Sequence, residues 1–385
     1  MYNKRRVFWS ACFGMLLFGV ALITLGSIAT DLKDKLGMSE IETGTLFSIL
    51  PFGILIGSLV FGPIADRYGY KLLLTITCIF LAAGFEGVAF SASSILLKSS
   101  IFLVGLSGGI LNGATNALVS DISDSDRTAN ISLLGVFFGI GALGIPLLLS
   151  SAGEKAGFEK IVSLVGLISL LGVVIYGLTK FPPPKISQKI PISGIKDFFR
   201  DRVLLLIAFF LFFQSSYEGL MNNWTTSYLA DHLSLPQAKA LLGLSLFVAG
   251  MVSMRLVTGI LIRNMAPARL LAISFILLIT GIAMVQSGKA AIIAPAGFFL
   301  MGTGLANGFP VMLGLVGERY KHISGTAFSF VLTIALPGNM IINYMMGVIS
   351  QKTGIGNLVL VITFETLIMI VLGILIFKHY KSIRL

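Results

Sequence analysis

Gly62-Pro-Ile-Ala-Asp-Arg-Tyr-Gly-Tyr-Lys71 is the stretch from which the rest of this chain is read. It ends one apolar run, about residues 42–64, and leads into the next, about 72–90. Gly62, Pro63 and Gly69 interrupt regular structure. Asp66, Arg67 and Lys71 put three charges into a short hinge between two membrane-length segments. So short a connection makes the two helices antiparallel neighbours. Its charges belong at a membrane surface, because burying them in lipid is costly.

Working outward, 56% of the 385 residues are hydrophobic, 12% are charged, and the mean hydropathy is +0.94. A soluble chain of this length carries about twice that charged fraction. The formal charge of +11 raises nucleic acid as a partner. The basic residues, however, are scattered between apolar segments and form no continuous surface with interleaved aromatics, which argues against it. Cys12 and Cys78 both fall inside apolar segments, so neither a disulfide framework nor a metal site is expected. There is no P-loop, H-E-x-x-H or nucleophile elbow, which speaks against an ATP-driven pump, an enzyme or a bound cofactor. His232, His322 and His379 read as ordinary surface residues. The N-terminal Met-Tyr-Asn-Lys-Arg-Arg resembles the start of a signal peptide, but the apolar run after it is too long and reads as an uncleaved first span.

Twelve apolar spans can be marked, at roughly 7–30, 42–64, 72–90, 97–120, 129–151, 160–180, 203–226, 238–262, 268–288, 290–314, 324–349 and 357–378. An even number puts both termini on one side. With the N-terminus in the cytoplasm, nineteen of the 28 Lys and Arg face that side and eight the other, and Arg255 lies inside a span. This asymmetry supports cytoplasmic termini and accounts for the net charge. The longest polar interruption, 181–201, begins Phe-Pro-Pro-Pro-Lys and reads as a cytoplasmic linker. It divides the chain into an N-terminal six-helix bundle, 1–180, and a C-terminal one, 202–385. The halves repeat weakly. Ser58-Leu-Val-Phe-Gly62 parallels Arg255-Leu-Val-Thr-Gly259 at an offset of 197, and Asn112-Gly113 parallels Asn307-Gly308 at 195.

The pattern G-x-x-x-D-R-x-G-x-K resembles the loop between helices 2 and 3 of the major facilitator superfamily, which usually has Arg or Lys where Tyr70 stands. The resemblance implies an all-α membrane protein of twelve transmembrane helices in two six-helix bundles that rock about a midplane site. It also implies a gating role for Asp66 and Arg67, with Asp66 against the positive N-terminal end of the span that starts after Ser324-Gly325.

An ionisable residue within a span must face protein or water. Glu86, Glu218, Arg255 and Glu365 are the candidates, and Asn112, Asn116, Gln214, Asn222, Asn223, Asn307, Asn339 and Asn343 stand out among the amides. Asn112 and Asn116 share a helix face. Their amides suit a polyhydroxylated ligand, or alternatively glue helices together. Glu218 and Asn222 lie one turn apart, with Trp224 and Tyr228 beyond them. The aromatics can stack on a ligand or form an interfacial belt. Arg255 is expected to snorkel or to pair with an acid such as Glu318, and is counted with the gating residues. Glu86 and Glu365 are expected to pack or to sit protonated in a bundle.

Glu-x5-Trp-x3-Tyr in span 7, with Asn-x3-Asn-x-x-Val in span 4, resembles the fucose–galactose–proton symporter branch. That resemblance implies uptake of a monosaccharide by a monomeric permease of a bacterial inner membrane. Asn112, Asn116, Gln214, Asn222 and Asn307 would bind hydroxyls, and Trp224 would stack on the sugar. Proton-coupled members carry Glu at the position of Asn112 and Asp near Gly26. Both acids are absent here, which leaves Glu218 as the site for a coupling proton or sodium. Gly139-Ile-Gly141-Ala-Leu-Gly144-Ile-Pro146 partly resembles the span-5 motif of drug–proton antiporters, so efflux of amphipathic compounds is the alternative.

Overall fold

A computed structural model of the chain describes residues 2–37, 40–123, 126–185, 198–235, 237–287 and 293–382. Residues 186–197 of the expected linker lie outside them. The described residues contain helices and no strand: α1 (Lys4–Leu36), α2 (Glu40–Tyr68), α3 (Tyr70–Ala89), α4 (Ser94–Ile122), α5 (Arg127–Ala156), α6 (Phe158–Leu178), α7 (Arg202–Ser227), α8 (Gln237–Ile260), α9 (Pro267–Ser287), α10 (Ile293–Leu305), α11 (Gly308–Arg319), α12 (Ser324–Thr353) and α13 (Leu358–Ser382). Among the described residues twelve stretches are long and apolar enough to cross a membrane, with α10 and α11 together making one of them, Ile293–Arg319. Helix is the form an apolar segment of this length must take, because hydrocarbon offers its backbone no hydrogen-bond partner.

The chain forms two compact units. One holds Met1–Asp124, Leu134–Ile190 and Tyr320–Ser329, and the other holds Ser125–Leu133, Pro191–Arg319 and Phe330–Leu385. In the first, α4 is the central helix, packed by α1, α2 and α3, with α6 against α3. In the second, α10 packs on α8 and α9, and α13 packs on α7.

Glycines set how closely these helices approach. In unit one, a Cβ on Gly53 would lie 2.6 Å from the Phe102 carbonyl oxygen, and one on Gly105 would lie 2.4 Å from that of Leu50. In unit two, a Cβ on Gly250 would lie 2.2 Å from the Phe299 oxygen, and one on Gly302 would lie 1.9 Å from that of Phe247. Each residue of the second set stands 197 positions after its counterpart in the first. The α2–α4 and α8–α10 pairs are therefore one backbone-to-backbone contact used twice, of the small-residue kind that membrane helices favour. The same register joins Gly157 (φ +78°) to Gly354 (φ +91°), which turn the chain into α6 and toward α13 in a conformation open to glycine alone.

Outward faces are apolar. Leu164, Leu167, Leu171 and Val174 on α6, and Phe364, Leu367, Val371 and Ile374 on α13, are exposed at helical spacing. Such stripes suit acyl chains and would aggregate in water.

If the glycine contacts set the packing, Gly302→Ala forces α8 and α10 apart and costs about 1–3 kcal/mol. Gly177 has nothing within 4 Å of an added Cβ, so Gly177→Ala is expected to be neutral or slightly stabilising. Thermal unfolding of the purified protein in detergent measures both.

Candidate functional site

In unit two, Glu218 on α7 is half-buried and Arg255 on α8 is buried, within electrostatic reach of each other. A buried guanidinium in a span is helped by a nearby counter-charge. Beside Glu218, α7 has Gly219, where a Cβ would come within 2.4 Å of the Asn339 side-chain oxygen. The missing side chain lets the Asn339 amide lie against the α7 backbone.

Asn339 begins a ladder. Asn343 Nδ2 donates to its side-chain oxygen at 3.0 Å and its carbonyl at 2.8 Å. Asn343 Oδ1 in turn accepts from Trp224 Nε1 at 3.0 Å and from Asn223 Nδ2 at 3.0 Å. The indole plane is thereby fixed. Asn222 is exposed. Asn339 and Asn343 stood out among the span amides but had no role assigned. Their one-turn spacing, the same as that of Asn112 and Asn116, was the available signal.

Gln214 and Asn307 are engaged with protein. The tenth span breaks between Leu305 and Gly308, which frees the Leu305 carbonyl, and Gln214 Nε2 donates to it at 2.7 Å. Asn307 accepts from Thr258 Oγ1 at 2.7 Å and donates to Ser274 Oγ at 3.3 Å. In unit one, Asn116 Nδ2 donates to the carbonyl of Asn112 at 2.8 Å and to its side-chain oxygen at 3.1 Å. Among the described residues no hydrogen bond engages the Asn112 amide nitrogen. Glu86 accepts from Ser163 Oγ with both oxygens, at 3.0 and 2.9 Å. Glu365 is buried and accepts from Ser216 Oγ.

A second polar cluster sits where α2 meets α3, within unit one; Gly62 and Pro63 lie inside α2 rather than interrupting it, and Gly69 alone separates the two helices. Asp66 is 1% exposed. Its carboxylate accepts from the backbone N–H of Gly325 at 3.3 Å, from that of Thr326 at 2.7 Å and from Thr326 Oγ1 at 2.7 Å. These are free donors at the first turn of α12, whose positive end favours an acid. Gly62 lets the chains close, since a Cβ there would strike the Gly325 carbonyl oxygen at 2.3 Å. Tyr70 donates to Asp121 at 2.6 Å. Lys185 Nζ lies 2.6 Å from Asp121 and 3.8 Å from Asp66. Arg67 is exposed and lies over the Tyr68 ring, outside this cluster.

The description "Major Facilitator Superfamily" is that of a family model matching residues 11–342. The chain belongs to the major facilitator superfamily. It is a multi-pass membrane transporter, not an enzyme. Its relatives differ in cargo. A probable nitrate/nitrite antiporter of Thermus thermophilus is 24% identical, covering 83% of this chain and 78% of its own length. Human sodium-dependent glucose transporter 1 is 22% identical, covering 89% of this chain and 73% of its own length. The Escherichia coli fucose:proton symporter shares the fold, with a TM-score of 0.79 at 19% identity over 96% of this chain and 98% of its own.

Removing one of two neighbouring opposite charges leaves the other to be solvated at a cost. Arg255→Met is expected to lower thermal stability, and adding Glu218→Gln to recover part of the loss. A double-mutant cycle in detergent should give a coupling of about 0.5–3 kcal/mol; strict additivity would show the charges to be independent.

Proposed function

We propose that this transporter takes up a monosaccharide or a similarly hydroxylated small solute by alternating access, driven by a proton or sodium. The observation that carries this reading is the fixed indole of Trp224 among Asn223, Asn339 and Asn343, close in the chain to Glu218. A locked aromatic face suits the apolar face of a sugar ring, and amides suit its hydroxyls because each both donates and accepts. Asn222 contributes an exposed amide. Within unit one, Asn112 keeps an amide nitrogen able to bond a hydroxyl, with Asn116 orienting it. Gln214 and Asn307 serve the site indirectly, by holding the break in the tenth span. Glu218 carries the coupling cation or anchors the substrate, with Arg255 setting its charge.

In this reading residues 1–180 and 202–385 form the two moving bundles, joined by the linker 181–201. Both termini lie in the cytoplasm of a bacterial cell, the α2–α3 loop faces that side, and the monomer works in the inner membrane. Asp66 and the first turn of α12 form a latch that opens and closes in each cycle.

Uptake of labelled hexoses and deoxyhexoses into vesicles tests the proposal. Glu218→Gln and Trp224→Ala are expected to cut uptake about tenfold or more, whereas Asn307→Ala should chiefly lower the unfolding temperature. Transport of nitrate without any sugar, or raised tolerance to amphipathic drugs on expression, would overturn it.

A further inference from the structure

The latch contains two acids in one enclosure. The side chains of Asp66 and Asp121 are 0% and 9% exposed, and each touches the start of α12. Asp66 accepts from its backbone N–H groups. Asp121 accepts from Ser324 Oγ at 2.5 Å. The partial positive charge of one helix end, about half a unit, cannot balance two carboxylates. A cation is needed, and the loop's own basic residues are elsewhere. Arg67 is exposed and lies over Tyr68. Lys71 Nζ donates to the Gly177 carbonyl at 2.6 Å. The position nearest Asp121 is Tyr70, which brings a hydroxyl and no charge.

We propose that Lys185, from the segment after α6, is the positioning residue that completes the latch and sets how firmly the first turn of α12 is held. Four contacts support this. Lys185 Nζ pairs with Asp121 at 2.6 Å and reaches Asp66 at 3.8 Å. It also donates to Ser324 Oγ, the group that bonds Asp121. Its backbone N–H donates to the Asp66 carbonyl at 3.0 Å, which pins the segment to the end of α2. Pro184 packs at 3.4 Å from where a Cβ on Gly69 would stand, so the approach is shaped as well as charged. With Lys185 the cluster holds one net negative charge, which the helix N-terminus partly offsets. Without it there are two, and they repel across the same helix end. The linker is then a working part of the gate, and strain or binding on that segment would act on the latch.

The inference rests on the latch role proposed above but not on the identity of the substrate, and its test needs no substrate. Ser329 lies one turn into the latch, 2% exposed, with its hydroxyl bonded to the Ser58 and Leu59 carbonyls. In a background lacking Cys12 and Cys78, the maleimide labelling rate of Ser329→Cys in purified full-length protein reports latch opening. Lys185→Met is expected to raise that rate about tenfold. Lys185→Arg should keep it low, and Tyr70→Arg should restore a low rate to Lys185→Met by supplying the cation from the loop. In an Asp121→Asn background, Lys185→Met should have little further effect. An unchanged rate in Lys185→Met, or an increase that is equally large with Asp121→Asn, would overturn the inference. Loss of sugar uptake with labelling unaltered would instead bear on the transport reading.

Discussion

The carbonyl of Leu305 shows the constraint on which this molecule depends. It lies where the tenth span breaks, in a segment long and apolar enough to cross a membrane, and Gln214 reaches it from α7. Hydrocarbon supplies neither donor nor acceptor, so each polar group at that depth must find a partner in protein or line a wet space. The amides and acids of the spans divide accordingly. Gln214, Asn307, Asn116, Glu86 and Glu365 are engaged by neighbours. Glu218, Asn222 and Trp224 are left partly open. The candidate site is what remains after the bundle's own hydrogen bonding is satisfied.

The repeat explains why the two units are built alike yet differ at their loops. The register of 197 carries Gly53 to Gly250 and Gly105 to Gly302, contacts where backbone meets backbone and no side chain fits. It also carries Asp66 to Arg263, and here the sign reverses. Asp66 meets helix N–H groups directly. Arg263 cannot, since a helix start repels a cation, and it instead pairs with the Asp126 carboxylate at 3.0 Å and the Asn130 side-chain oxygen at 2.9 Å, around the start of α5. An acid at the helix start converts the site from one that takes an anion to one that takes a cation. The steric contacts are alike in the two units, while the electrostatic ones differ in sign and are matched within each unit.

Sequence periodicity exposed the spans because twenty apolar residues in a row have few other uses. The loop at 62–71 located Asp66 and pointed to the start of α12, since glycine, proline and charge in that order leave a recognisable trace. What stayed hidden was pairing at a distance. Arg255 on α8 comes within electrostatic reach of Glu218 on α7, and spacing along one chain does not bring those two helices together. Nothing in Phe-Pro-Pro-Pro-Lys marked Lys185 as a residue drawn in from the linker. Its role follows from a charge deficit that exists only once Asp66, Asp121 and the end of α12 are brought together.

A gate in a membrane protein has reason to be polar. Packing apolar helices together gains little when lipid tails offer equivalent contact, so hydrophobic burial cannot decide between two arrangements of the bundle. Hydrogen bonds to charged groups, each worth about 1.5–3 kcal/mol, can decide when they form in one state and are replaced by water in the other. The sum must stay small, because moving a two-state equilibrium from one side to the other takes only about 5.5 kcal/mol of differential binding. Two unbalanced acids would leave the latch too weak. A full complement of arginines in the loop would hold it rigidly through bidentate bonds. A hydroxyl at position 70 with a lysine on a flexible stem brought in from the segment after α6 gives an intermediate strength, and makes that strength depend on how that segment is held.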